Sequence, residues 1–123
     1  MPKCPECEPS VSPDGMGEIK AGGGRPQAGH LIGYWGKGTG RDIRNLVALH
    51  GSANSRMANN VERFGWKHLT GGNKLVLSVV PVYGDPNSAV PAIVQVGMTA
   101  YGPTGDIADH YSCTAINSPT GIG

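Results

Sequence analysis

His30 combines a side chain suited to proton transfer with neighbours that clear space around it, in a chain of 123 residues. An imidazole is largely neutral at neutral pH and can take a proton from water. Gly29 before it and Gly33 after it let a phosphate backbone come close. Asn54 offers a side-chain amide oxygen, a hard neutral ligand that suits Mg²⁺. Glu62 follows eight residues later. On a helix that spacing is about 2.2 turns and roughly 12 Å of rise, so one ion is not expected to take both directly. Glu62 would instead hold a water beside the ion. Arg56 and Arg63 have the reach and charge to meet a scissile phosphate or a leaving oxygen. A base, a cation and a brace for the leaving oxygen are what phosphodiester hydrolysis needs.

The charge distribution agrees with a phosphate-bearing ligand. The formal net charge is only +1, but that average hides a segregation. The stretch from Lys20 to Lys74 carries Lys20, Arg25, Lys37, Arg41, Arg44, Arg56, Arg63, Lys67 and Lys74 against only Asp42 and Glu62. The remainder has Lys3 and seven acids. Such a split points to a half that faces a polyanion. An ordinary solvated surface with an uneven spread is the plain alternative.

These residues need elements to hold them. Residues 1–26 read as an irregular N-terminal segment, broken by Pro2, Pro5, Pro9, Pro13 and the Gly22-Gly23-Gly24 run, with at most a short strand over 17–20. Residues 28–35 read as extended. A loop with Gly36, Gly38 and Gly40 then carries Lys37 and Arg41, and 45–49 is a brief strand. Over 53–69, Met57, Val61, Phe64 and His68 recur as one apolar stripe, which predicts a helix. Ser52 or Asn54 is placed to cap it, and Gly71-Gly72 to end it. Residues 73–83 and 90–101 predict a hairpin about Gly84-Asp85-Pro86-Asn87, and a short strand follows over 110–116. The layout is α+β, a helix on a small antiparallel sheet, with one domain over 27–123. The 38% hydrophobic content suffices for one modest core. No apolar run is long enough to span a membrane, and no signal peptide opens the chain, so export would depend on a carrier or a segment outside this sequence.

Gly29-His30-Leu31-Ile32-Gly33, then Asn45-Leu46-Val47, then Asn54 with Glu62 eight residues on, resembles the DNA/RNA non-specific endonucleases of the ββα-metal fold. Val80-Pro81-Val82-Tyr83 is similar to the strand after the helix in the short bacterial members. The resemblance covers roughly 27–100. It implies a ββα-metal finger whose helix carries the metal ligand. It also implies His30 as general base, Asn54 as ligand of one Mg²⁺ (or Mn²⁺), Glu62 holding a water of that ion, and Asn45 in a structural or orienting position. The family's Asp-Arg-Gly-His tetrad is Gln27-Ala28-Gly29-His30 here. Arg25, Arg41 or Arg44 would have to replace the missing phosphate-binding Arg, with Lys37 and Arg56 as further phosphate contacts. The position of a leaving-group Arg holds Trp66, which passes that role to Arg63 or Lys67. The expected activity is cleavage of DNA, and of RNA as a second substrate, with little sequence specificity. Short members of the family occur as toxin modules of large secreted bacterial proteins, delivered into rival cells and blocked by a cognate immunity protein. The resemblance therefore implies a secreted or delivered module.

Cys4-Pro5-Glu6-Cys7 has the spacing of a zinc knuckle, and His110 and Cys113 repeat the two-residue gap. A structural Zn²⁺ held by these four is one reading. One disulfide plus a thiol, or three thiols, are the others. Two further functions stay open from the sequence. A degenerate site would leave a nucleic-acid-binding module that does not cut, and the four zinc candidates would leave a zinc-stabilised interaction domain.

Overall fold

Apolar side chains at helical spacing and at strand spacing meet in one core. The computed structural model describes Pro5, residues 11–31 and residues 45–119. Its described elements are α1 (Met16–Ala21), β1 (Pro26–His30), β2 (Leu46–His50), α2 (Gly51–Thr70), β3 (Lys74–Val82), β4 (Ile93–Tyr101) and β5 (Ile107–Ile116). The fold is α+β, with two helices and two antiparallel sheets, β1-β2 and β3-β4-β5. None of these helices is long and apolar enough to cross a membrane.

The stripe expected on α2 is the buried one. Ala53, Met57, Val61, Gly65 and His68 face inward, with Phe64 half-buried at the margin. Met57 and Val61 join Val47 and Leu49 of β2 and Val94, Val96 and Met98 of β4. Alternation along β3 and β5 adds Leu75, Leu77, Val79, Tyr111, Cys113 and Ala115 from the same side of the larger sheet. One face of the helix thus packs on a core to which both β2 and the larger sheet contribute.

Three local expectations give way. Residues 16–21 form α1, where a strand over 17–20 was expected in an irregular segment. Glu18 in its first turn and Lys20 in its last match the helix dipole, and Ile19 is buried. Ser88 Oγ also donates to the Glu18 carboxylate, tying α1 to the chain after β3. The second departure is the cap of α2. Neither Ser52 nor Asn54 caps the helix, because it springs directly from β2 with extended His50 at the N-cap. Ser52 Oγ bonds the carbonyls of Ser118 and Pro119 instead. The third is β5, which starts at Ile107 and pairs with the full length of β4 rather than ending as a short strand.

The corner between β2 and α2 is held from outside by Asn117. Its Oδ1 accepts from the His50 N–H at 2.8 Å, and its Nδ2 donates to the carbonyls of Ala48 at 3.1 Å and Pro91 at 2.8 Å. The far end of α2 is held by His68, only 7% exposed. His68 Nε2 meets Asp109 Oδ2 at 2.9 Å, and Asn73 Nδ2 donates to Nδ1 at 2.9 Å. The donor at Nδ1 makes Nε2 the protonated nitrogen, so His68 donates to Asp109.

Asn117→Ala removes three half-buried hydrogen bonds at once and should lower stability by about 2–4 kcal/mol, read as a fall in the urea midpoint at unchanged slope. The His68 hydrogen bond, helped by the His110 backbone N–H, holds the Asp109 carboxyl below its usual value of 3.8. A lowered folded pKa gives stability that is complete above the unfolded value and lost as pH falls through the folded one. The stability advantage over Asp109→Asn should therefore be full at neutral pH and shrink once the pH drops beneath 3.8, as urea titrations at stepped pH would show.

Candidate active site

β1 and β2 run antiparallel with Gln27 opposite Leu49, Gly29 opposite Val47 and His30 opposite Leu46. Leu31 N–H donates to the Asn45 carbonyl at 2.8 Å, which closes the ladder at the His30 end. At the other end Gly51 N–H donates to the Arg25 carbonyl at 2.9 Å. With no loop between β2 and α2, the first turn of the helix is laid across β1.

That crossing brings Asn54 onto the strand. Asn54 Nδ2 donates to Gln27 Oε1 at 2.8 Å. Its Oδ1 lies against residue 29: a Cβ added to Gly29 would stand 3.1 Å from that oxygen and 2.8 Å from Leu49 Cγ. Glycine is required here by close approach. Gln27 and Gly29 share one side of the strand, the side facing the helix. His30 is the next residue, half-buried at the end of β1. The amide nitrogen of Asn54 is thus turned to Gln27 and its oxygen to Gly29, whereas the His30 side chain alternates to the other face of β1.

Helical geometry sorts the remaining candidates. Glu62 is half-buried and about 2.2 turns beyond Asn54, within a quarter turn of the same side. Arg63 is nine residues from Asn54, about two and a half turns, and so on the opposite side of the helix. Arg56 and Lys67 fall close to the same opposite line, and all three are exposed. This helix sets Arg56, Arg63 and Lys67, expected to meet a scissile phosphate or leaving oxygen, on the side away from Asn54. Those cations form a stripe of their own, and their spacing already carried that signal. Arg25 is exposed just before β1 and lines a cavity of about 390 Å³ with Gly24, Gln27, Ser52 and Ser55. Among the described residues it is the cation on the Gln27 side of Asn54. Lys37, Arg41 and Arg44 lie outside the described residues.

Among the described residues, no three His, Cys, Asp or Glu side chains gather into a metal cage. A metal at Asn54 would take few protein ligands and rely on water and phosphate oxygens, as Mg²⁺ does. The zinc candidates divide. Cys4 and Cys7 lie outside the described residues. His110 and Cys113 stand three apart on extended β5 and so point to opposite faces. His110 Nδ1 pairs with Thr99 Oγ1 at 3.0 Å on the outer face. Cys113 packs inward beside Tyr111, whose hydroxyl is pushed up to about 12 by burial and by its hydrogen bond with Cys113. A single ion holding both His110 and Cys113 would have to break the strand.

Two residues at the site escape sequence reasoning. Gln27 was visible only as a departure from a tetrad, and nothing local marks it as the partner of Asn54. His50 closes the corner, its ring packed on Gly24, where a Cβ would stand 2.8 Å from His50 Cε1. Its buried Nδ1 has no partner among the described residues.

Gly29→Ala should destabilise the chain by about 1–3 kcal/mol, because the methyl enters Leu49 and presses on Asn54 Oδ1. The cost of Gly29→Ala should be smaller in a Leu49→Ala background than in the wild type, measured by thermal melts of the single and double variants. Set against family models, curated proteins and solved structures, the chain matches none, and its site is read from its own geometry.

Proposed function

We propose that this chain is a metal-dependent nuclease that hydrolyses phosphodiester bonds of DNA, and of RNA as a second substrate, with little sequence specificity. The observation that carries the reading is the crossing of α2 over β1, which sets the Asn54 amide oxygen against Gly29, next to His30. An antiparallel strand pair running straight into a helix is also the layout expected of a ββα-metal finger. The Asn54 nitrogen is held by Gln27, and its oxygen, the kind of atom that ligates a hard divalent cation, lies against Gly29.

In this reading Asn54 Oδ1 would hold Mg²⁺ or Mn²⁺, which would supply neutralisation of charge on the phosphate. His30 Nδ1 or Nε2 takes the proton from the attacking water. Gly29 leaves room for Leu49 and the Asn54 amide to close on the strand. Glu62, two turns along α2, holds water beyond the reach of direct ligation. Arg25 supplies positive charge on the Gln27 side of the same strand. These groups address atoms common to every phosphodiester, which is why little base preference is expected.

One observation favours a second reading. Arg56, Arg63 and Lys67 form an exposed stripe on the side of α2 away from Asn54, and such a stripe can bind a polyanion without cutting it. The two readings separate with supercoiled plasmid and total RNA, incubated with Mg²⁺ or with EDTA. The nuclease should nick and linearise plasmid with Mg²⁺, lose activity in EDTA, and drop about 10²- to 10⁴-fold in His30→Ala. Activity that survives EDTA or His30→Ala would sink the assignment. Salt-sensitive retention of DNA with no cleavage under any divalent metal would leave the binding module.

A further inference from the structure

We infer that the outer face of α2, built on Arg56, Arg63 and Lys67, is a docking surface for the phosphate backbone of duplex nucleic acid. The inference goes beyond the nuclease reading and does not rest on it, because this face points away from Asn54 and binds a duplex whether or not the chain cuts one. At about 100° per residue the three cations fall within an arc of about 40°, in a row about 16 Å long. All three are exposed. Among the described residues none of them enters an ion pair, and Lys67 gives Asp109 only a weak attraction. Asn59, Asn60 and Thr70 flank the row and are exposed too. No carboxylate stands among them, since Glu62, the acid of this helix, lies about a third of a turn away.

The composition of the face selects the partner. An interface with another protein is built round an apolar or aromatic anchor shielded from charge. This row has none, the exposed Trp66 and Leu69 standing about a quarter turn or more to its side. Surfaces that hold nucleic acid are polar and strongly cationic. Single strands add the stacking of bases on aromatic rings, which the row also lacks. Duplex DNA instead offers one negative charge for about every 1.7 Å of its axis, so a row of this length meets several phosphates in whatever register it lands. The guanidinium forks of Arg56 and Arg63 suit phosphate oxygens. Asn59 and Asn60 carry amide N–H groups able to donate to the same oxygens, and contacts of this kind position a duplex without reading its bases. The buried face of α2 fixes the helix on the core, so the row is formed before the partner arrives and its ordering costs little.

The test is fluorescence anisotropy of a labelled DNA duplex in EDTA, where metal-dependent cleavage is silent, between about 50 and 200 mM salt. The variants are Arg63→Gln, the triple Arg56→Gln/Arg63→Gln/Lys67→Gln, and Lys20→Gln on α1 as a charge lost elsewhere. Gln is a good helix former and the helix sites are exposed, and thermal melts check that each variant folds. Each phosphate contact steepens the fall of log affinity with log salt by about 0.9. Arg63→Gln should therefore flatten the slope by about 0.9 and the triple variant by about 2.7, which removes roughly 40-fold of the weakening over that salt range. Lys20→Gln should leave the slope as it is, and duplexes of different sequence should bind alike and ahead of a single strand of the same length. An unchanged slope in the folded triple variant, equal flattening by Lys20→Gln and Arg63→Gln, tighter binding of the single strand, or no duplex binding by wild type would overturn the inference. Binding of polyglutamate in place of the duplex, lost in the triple variant, would overturn it in favour of an acidic protein partner. If the triple variant does not fold, Arg63→Gln decides alone. The expected slopes together with no plasmid cleavage in Mg²⁺ would support the docking face and remove the nuclease reading alone.

Discussion

The chain passes from β2 into α2 between His50 and Gly51 with no loop, and the rest of the described structure is arranged around that corner. An extended residue followed at once by a helix leaves backbone groups on both sides that water or the protein must satisfy. Distant segments supply the partners. Arg25 accepts from Gly51, and Asn117 accepts from His50 while donating to Ala48 and Pro91. Ser52 reaches the chain after β5. With the corner held in this way, the direction of α2 relative to β1 follows, and with it the meeting of Asn54 with Gln27 and Gly29.

The opposite end of α2 is held by a polar network instead of a turn of apolar contacts. His68 sits in the buried stripe where an aliphatic residue would fit, yet both ring nitrogens are bonded, to Asn73 and Asp109. A buried polar ring is tolerated only under that condition. Phe64 lies beside it, with ring centroids 4.6 Å apart, and stacks at 5.5 Å on Tyr111 of β5. The helix is therefore pinned at both ends to the larger sheet, by Asn117 near its start and by His68 near its finish. A site built on its first turn inherits that rigidity.

Rotation around α2 separates two chemistries. One side buries apolar residues in the core. Asn54 borders that buried stripe on the side that also approaches Glu62, and Arg56, Arg63 and Lys67 border it on the other. The described cations of the helix thus line its far side rather than gathering at Asn54. Close to Asn54 the described cation is Arg25, which comes from the chain just before β1 and not from the helix.

Residue spacing alone was enough to place α2 and the β3–β4 hairpin, because a stripe every three to four residues and an alternation every two are local patterns that follow from backbone geometry. The Gly71-Gly72 stop was legible for the same reason, with Gly72 taking the positive φ of 85° that glycine adopts most easily. The half-turn between Asn54 and Arg63 was equally present in the spacing. Short α1 was not legible, since six residues carry too little periodicity and the burial of Ile19 depends on its neighbours. The role of Gln27 and the placement of Asn117 belong to the tertiary structure alone. Gln27 is 27 residues from Asn54, and Asn117 is 67 from His50. A side-chain hydrogen bond across such distances exists only once the sheets and the helix have packed, and no pattern along the chain encodes which amide will face which.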